Sequence, residues 1–144
     1  MPPRAPCGFR FALMLLFPVL AAGCGGERLV KVTGTATRHG KPLPNLVINF
    51  TPEKGLRSYA LTDQDGKFNM IYTNGQEGVV LGTHKVWVQL QTTGSKEDKE
   101  HQKRLARQQN DPEIAQILRK YGKADTTPLT VEAKEDRELN LTLD

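Results

Sequence analysis

Side chains that carry metal or nucleophilic chemistry are scarce in this sequence. Its 144 residues hold two cysteines, Cys7 and Cys24, and three histidines, His39, His84 and His101. They are too few and too scattered for a zinc cluster or a disulfide framework, so neither a metal nor a cofactor is expected. Aromatic residues make up only 6%. No apolar run is long enough to span a bilayer: residues 11–22 (FALMLLFPVLAA) would rise about 18 Å as a helix, against a hydrocarbon core of ~30 Å. A long basic stripe is also missing. Twenty Lys and Arg against 16 Asp and Glu give +4, and two of those cations, Arg4 and Arg10, sit in the N-terminal leader. Nucleic acid is therefore not an expected partner. What is present has globular composition, 25% charged and 38% hydrophobic, in one domain's length with room for a modest core.

Residues 1–23 read as an export signal, with two positive charges and no acid before the apolar run. Leu20-Ala21-Ala22-Gly23-Cys24 then places small residues directly before a cysteine, where a signal peptidase must fit the backbone into a narrow cleft. This segment resembles a bacterial lipoprotein signal peptide with its lipobox, with Ala21 where Leu is usual. The resemblance implies cleavage after Gly23, a diacylglycerol thioether on Cys24 and acylation of the new amino terminus. More than one acyl chain gives stable membrane anchoring, and lipidation accounts for a lone cysteine sent to an oxidising compartment. Gly25 stands where an Asp would retain a lipoprotein in the inner membrane of well-studied two-membrane bacteria, which favours the outer membrane. Residues 24–28 then form the lipidated cysteine and a short tether, and the domain of residues 29–144 sits close to the bilayer.

The body has a period of two. In residues 29–37, Val30, Val32, Gly34 and Ala36 share one face, and Lys31, Thr33, Thr35 and Thr37 the other. Residues 46–51 alternate likewise, and residues 58–62 form a third strand carrying Tyr59 and Leu61. Asp63-Gln64-Asp65-Gly66-Lys67 makes a tight turn because Gly66 tolerates positive φ and the aspartates bond their own backbone; Phe68, Met70 and Tyr72 return from it. A short strand is expected within 77–81 and the longest over 83–91, with Val86, Val88 and Leu90 opposite Lys85, Trp87 and Gln89. Strands at 129–133 and 139–143 close the chain. About seven short strands at this spacing predict an all-β sandwich.

A helical insertion at about 93–125 interrupts this pattern. Residues 95–109 are highly polar and read as solvated surface. In the second half, Asp111 suits an N-cap and Pro112 the first helical position. Ile114, Ile117, Leu118 and Tyr121 follow a helical stripe, and Gly122 ends it. The expected cover for that stripe is Trp87.

Val32-Thr33-Gly34-Thr35, Gly40-Lys41-Pro42-Leu43, residues 47–52, Thr62 to Phe68, and Gly82-Thr83-His84-Lys85-Val86 together resemble successive strands and turns of the carboxypeptidase-regulatory-like domains, which share the Greek-key transthyretin-like (prealbumin-like) sandwich. Residues 120–131 resemble a stretch typical of small bacterial lipoproteins of this type. The resemblance implies a non-catalytic scaffold or binding module of the cell envelope. Its expected partners are the membrane, through the lipid anchor, and envelope proteins or polysaccharide; no small-molecule substrate is indicated.

Other chemistries have weaker support. Asp63-Gln64-Asp65-Gly66 hints at a calcium loop, but Lys67 and Asn74 stand where further ligands are needed. The transthyretin-like family includes a hydrolase with histidine and arginine sites and a characteristic C-terminal tetrapeptide, which Leu141-Thr142-Leu143-Asp144 does not match. Related collagen-adhesin domains join a first-strand Lys to a last-strand Asn beside a buried acid. Lys31, Asn140 and Glu77 or Glu132 fall in that order, yet Lys31 shares the polar face of its strand. A carbohydrate-binding module requires Trp87 or Tyr59 exposed on a flat face.

Overall fold

The structure, a computed structural model, describes residues 27–91 and 98–144. The leader, Gly23, Cys24 and the start of the insertion lie outside the described residues, and with them the cleavage and lipidation reading. The described chain forms β1 (Leu29–Val30), β2 (Val32–Arg38), β3 (Lys41–Pro42), β4 (Leu46–Pro52), β5 (Ser58–Leu61), β6 (Lys67–Asn69), β7 (Ile71–Tyr72), β8 (Val79–Val80) and β9 (Gly82–Leu90), then α1 (Lys99–Gln109) and α2 (Pro112–Tyr121), then β10 (Thr130–Ala133) and β11 (Arg137–Thr142). No helix among the described residues is long and apolar enough to cross a membrane.

The strands assemble as an all-β sandwich with two helices inserted before the last two strands. One sheet has the order β10-β9-β4-β5-β7, and the other is β11-β2-β3 with β6 also paired to β2; β1 and β8 form a small third sheet. Alternation sets the faces: Val32, Gly34, Ala36 and Arg38 of β2 point inward while the threonines between them stay half-buried. Val32, Ala36, Phe68, Leu139 and Leu141 from one sheet meet Leu46, Ile48, Phe50, Ala60, Val86 and Val88 from the other in a single core. Each large side chain so buried stabilises the fold by about 1.5–3 kcal/mol.

Two expected single strands are broken by sheet switching. Lys31 separates β1, which pairs with β8, from β2. Met70 separates β6, which pairs with β2, from β7, which pairs with β5. The turn at 63–67 forms as expected, with Asp63 N–H donating to the Lys67 carbonyl at 2.9 Å and Gly66 at φ 71. It leads, however, from one layer of the sandwich into the other. The last strand, β11, runs parallel to β2.

The α2 helix starts as its sequence dictates, with Asp111 Oδ1 accepting from Glu113 N–H at 2.8 Å and Pro112 in the first turn. Its buried stripe, Ile114, Ile117 and Tyr121, joins the main core and does not cover Trp87. The reason is parity: α2 packs on the Val86–Val88 side of β9, and Trp87 points to the other side. Arg38 at the end of β2 ties this arrangement together, donating to the Glu113 carbonyl and to Gln116 Oε1. The α1 helix is solvated as expected, burying only Leu105.

Candidate binding face

Register in the five-stranded sheet determines what its outer face presents. Ile48 and Phe50 point into the core, so their partners Ala60 and Ser58 do too. Tyr59 and Leu61 are thereby turned outward, 43% and 48% exposed. Across the strands, Ile71, Tyr59, Asn49 and Trp87 fall in one row, and Leu61, Val47 and Gln89 in the next. Two interstrand spacings of ~4.8 Å separate Tyr59 from Trp87, or about 9.6 Å.

Trp87 is half-buried, and its indole Nε1 donates to Thr51 Oγ1 of the adjacent strand at 3.0 Å. This bond ties the ring to β4. Asn49 is on the outward face yet only 1% exposed, because its two neighbours in the row are the aromatic side chains. The result is an outward sheet face carrying Tyr59 and Trp87, the latter tied by its Nε1 bond, with Leu61 as an apolar flank, bordered by the exposed polar side chains of Gln89 and Lys85. Such a surface suits stacking on the apolar faces of an uncharged, extended ligand.

The candidate histidines are not brought together. His39 lies in the turn after β2, its N–H donating to Asp144 Oδ1 at 3.0 Å and its Nδ1 3.5 Å from the same carboxylate. His84 is fully buried at the opposite end of the sandwich, tilted against Phe50 with ring centroids 5.7 Å apart. Its Nε2 lies 2.6 Å from the Val80 carbonyl, which only an Nε2–H can satisfy. Burial pushes its pKa down, and the bond to Val80 opposes that shift. Neither ring hydrogen-bonds a serine among the described residues.

Asp63 is committed to its turn, one carboxylate oxygen accepting from both Asp65 and Lys67 N–H at 2.9 Å. Lys31 is exposed and paired with Glu77 at 3.1 Å, which holds the Glu77 carboxyl below its usual range. Asn140 stands opposite Thr35, four residues along from Lys31, or roughly 13 Å. Glu132 pairs with Lys134. The structure therefore pairs Lys31 with an exposed Glu77, not with a buried acid, and leaves Asn140 apart from that lysine.

The sequence marked Tyr59 and Trp87 singly. Their placement in one row depends on the register of β5, β4 and β9, and no local signal encodes that. No family model, no curated protein and no solved structure matches the chain. Its class rests on its own architecture, a β-sandwich with an aromatic outer face.

Proposed function

We propose that the protein is an exported lipoprotein of the cell envelope, anchored through Cys24 with the outer membrane favoured, and that its domain is a non-catalytic binding module of the transthyretin-like, carboxypeptidase-regulatory-like kind. Its ligand is envelope polysaccharide, taken on the outer face of the five-stranded sheet. What carries this reading is the row Tyr59–Asn49–Trp87, which sets two aromatic residues on one outward sheet face with about 9.6 Å between their backbone positions.

The anchoring half is supported by the leader and by how the tether meets the body. Three residues after Cys24, the Glu27 carboxylate already accepts a hydrogen bond from the Tyr72 hydroxyl. The tether is thus docked where it enters the sandwich, which suits a domain held near the bilayer.

Two measurements test the two halves. Trp87 is the only tryptophan, so its emission reports this face alone. Titration of the mature chain with neutral oligosaccharides is expected to give a saturable emission change. A flat response alongside capture of an envelope protein would replace polysaccharide by a protein partner. Intact mass of the chain extracted from its native membrane is expected to show a start at Cys24 with diacylglycerol and an acyl group. An unlipidated chain would overturn the anchor, and a further loss of one ammonia would revive the Lys31–Asn140 cross-link.

A further inference from the structure

A second surface, distinct from the aromatic face, lies against the inserted helices. Between the β2–β3 hairpin and the two helices runs a groove of about 460 Å³, within the range of small-molecule sites. Arg38, Lys41, Arg104 and Arg107 line it. Among the described residues, none of the four has a carboxylate within 4.0 Å. The acids in the groove are Asp111 and Glu113, and Asp111 is occupied in capping α2.

Arg38 is the unusual member. It occupies an inward position of β2 and is 8% exposed, yet its bonding partners are neutral, the Glu113 carbonyl and Gln116 Oε1 at 2.8 Å. Its buried Nε has no hydrogen-bond partner among the described residues. Neutral acceptors orient a guanidinium without cancelling its charge, and a buried charge is ordinarily paired. An anion in the groove would supply a counter-charge.

The other two arginines lie on α1. Arg104 and Arg107 are three residues apart and so share a face of α1. That helix is pinned by Gln108, whose Nε2 donates to the Pro44 carbonyl at 2.6 Å and whose Oε1 accepts from Asn45 Nδ2 at 3.2 Å. An otherwise solvated helix is thereby fixed, with two guanidinium groups lining the groove that meet no carboxylate among the described residues. Leu43 and Ile114 add apolar wall.

We propose that this groove binds a ligand bearing an oxyanion, a carboxylate or a phosphate, in contact with Arg104 and Arg107 and in the field of Arg38. Arginine forks match both oxyanions. Four cations against two acids fit a ligand with one or two negative charges. A lipid headgroup is disfavoured by position: the groove lies at the Arg38 end of β2, about 20 Å from the Val32 end where the tether enters.

The test is calorimetric titration of the mature chain with inorganic phosphate and, separately, with glucuronate, at low and high salt. Saturable binding that weakens with salt is expected for at least one probe, and which one binds more tightly assigns phosphate or carboxylate as the natural group. Arg104→Gln combined with Arg107→Gln, both exposed, is expected to weaken it at least about tenfold. Asp111→Asn is expected to tighten it severalfold, because Asn caps a helix as well as Asp while removing a negative charge from the groove. Absence of saturable binding of both probes overturns the proposal, as does an affinity unmoved by the arginine pair or weakened by Asp111→Asn.

Discussion

Gly34 of β2 and Leu139 of β11 stand opposite one another in parallel register, so close that a Cβ on Gly34 would lie 2.0 Å from the Leu139 carbonyl oxygen and 2.8 Å from Phe68 Cζ. The nearest atom is backbone, and no rotamer change relieves it. Gly34→Ala must push β11 off β2. The expected loss is about 3 kcal/mol, at the upper end of overpacking penalties, read as a lowered urea midpoint. A midpoint equal to that of the unsubstituted chain would show that β11 can move freely, and the parallel pairing would carry little of the stability.

The inserted helix belongs to the core. Ile117 is 2% exposed and packs with the residues of both sheets. Ile117→Ala is expected to destabilise the fold by about 2–5 kcal/mol, the range for a truncated buried aliphatic side chain. Leu118, only partly buried against the same cluster, is expected to lose less. Equal, small losses at both positions in urea unfolding would make α2 an appendage.

The strands were legible in the sequence because alternation is local: inward Val32 and Ala36, Ile48 and Phe50, Val86 and Val88 all follow from period two. Sheet membership is not local. Phe68, Met70 and Tyr72 read as one strand face, and all three are buried, yet the chain crosses between layers at Met70. The same limit hid the outward turn of Tyr59 and Leu61, which the register with Ile48 and Phe50 imposes. The stripe of α2 correctly announced a buried face. Its destination, the core and not Trp87, depended on which side of β9 was already closed. Arg38 shows the converse, since a charged residue at an inward position gives no hint of its neutral partners on a helix 75 residues away.

His84 gives the fold a pH dependence of known sign. Burial pushes its pKa below the ordinary 6.5, so the unfolded chain takes up a proton at a higher pH than the folded one. The stability is therefore full above about pH 6.5 and falls as pH drops toward the lowered folded value, with a limiting slope of about 1.4 kcal/mol per pH unit for one proton. His84→Gln keeps a donor for the Val80 carbonyl and removes the titration. Urea unfolding at several pH values between 7.5 and 5 is expected to show a shallower acid-side decline in the variant. Parallel curves would mean that the imidazole gains compensating hydration when it protonates.

Tyr59 and Trp87 flank Asn49 from opposite strands, and a ligand crossing the face must touch both. Tyr59 is 43% exposed and has few packing contacts to lose, so Tyr59→Ala is expected to leave stability within about 0.5–1 kcal/mol. Binding of a neutral oligosaccharide is expected to weaken by more than about fivefold, as at an aromatic hot spot. Trp87→Ala would uncover Asn49 and free the Thr51 hydroxyl, mixing folding with binding. Trp87→Phe keeps most of the cover while removing the Nε1 bond and half the stacking surface, and is expected to weaken binding less than Tyr59→Ala combined with it. Binding that survives both substitutions while the urea midpoint stays fixed would place the glycan elsewhere on the sandwich, because the aromatic row would then be intact in fold and irrelevant to the ligand.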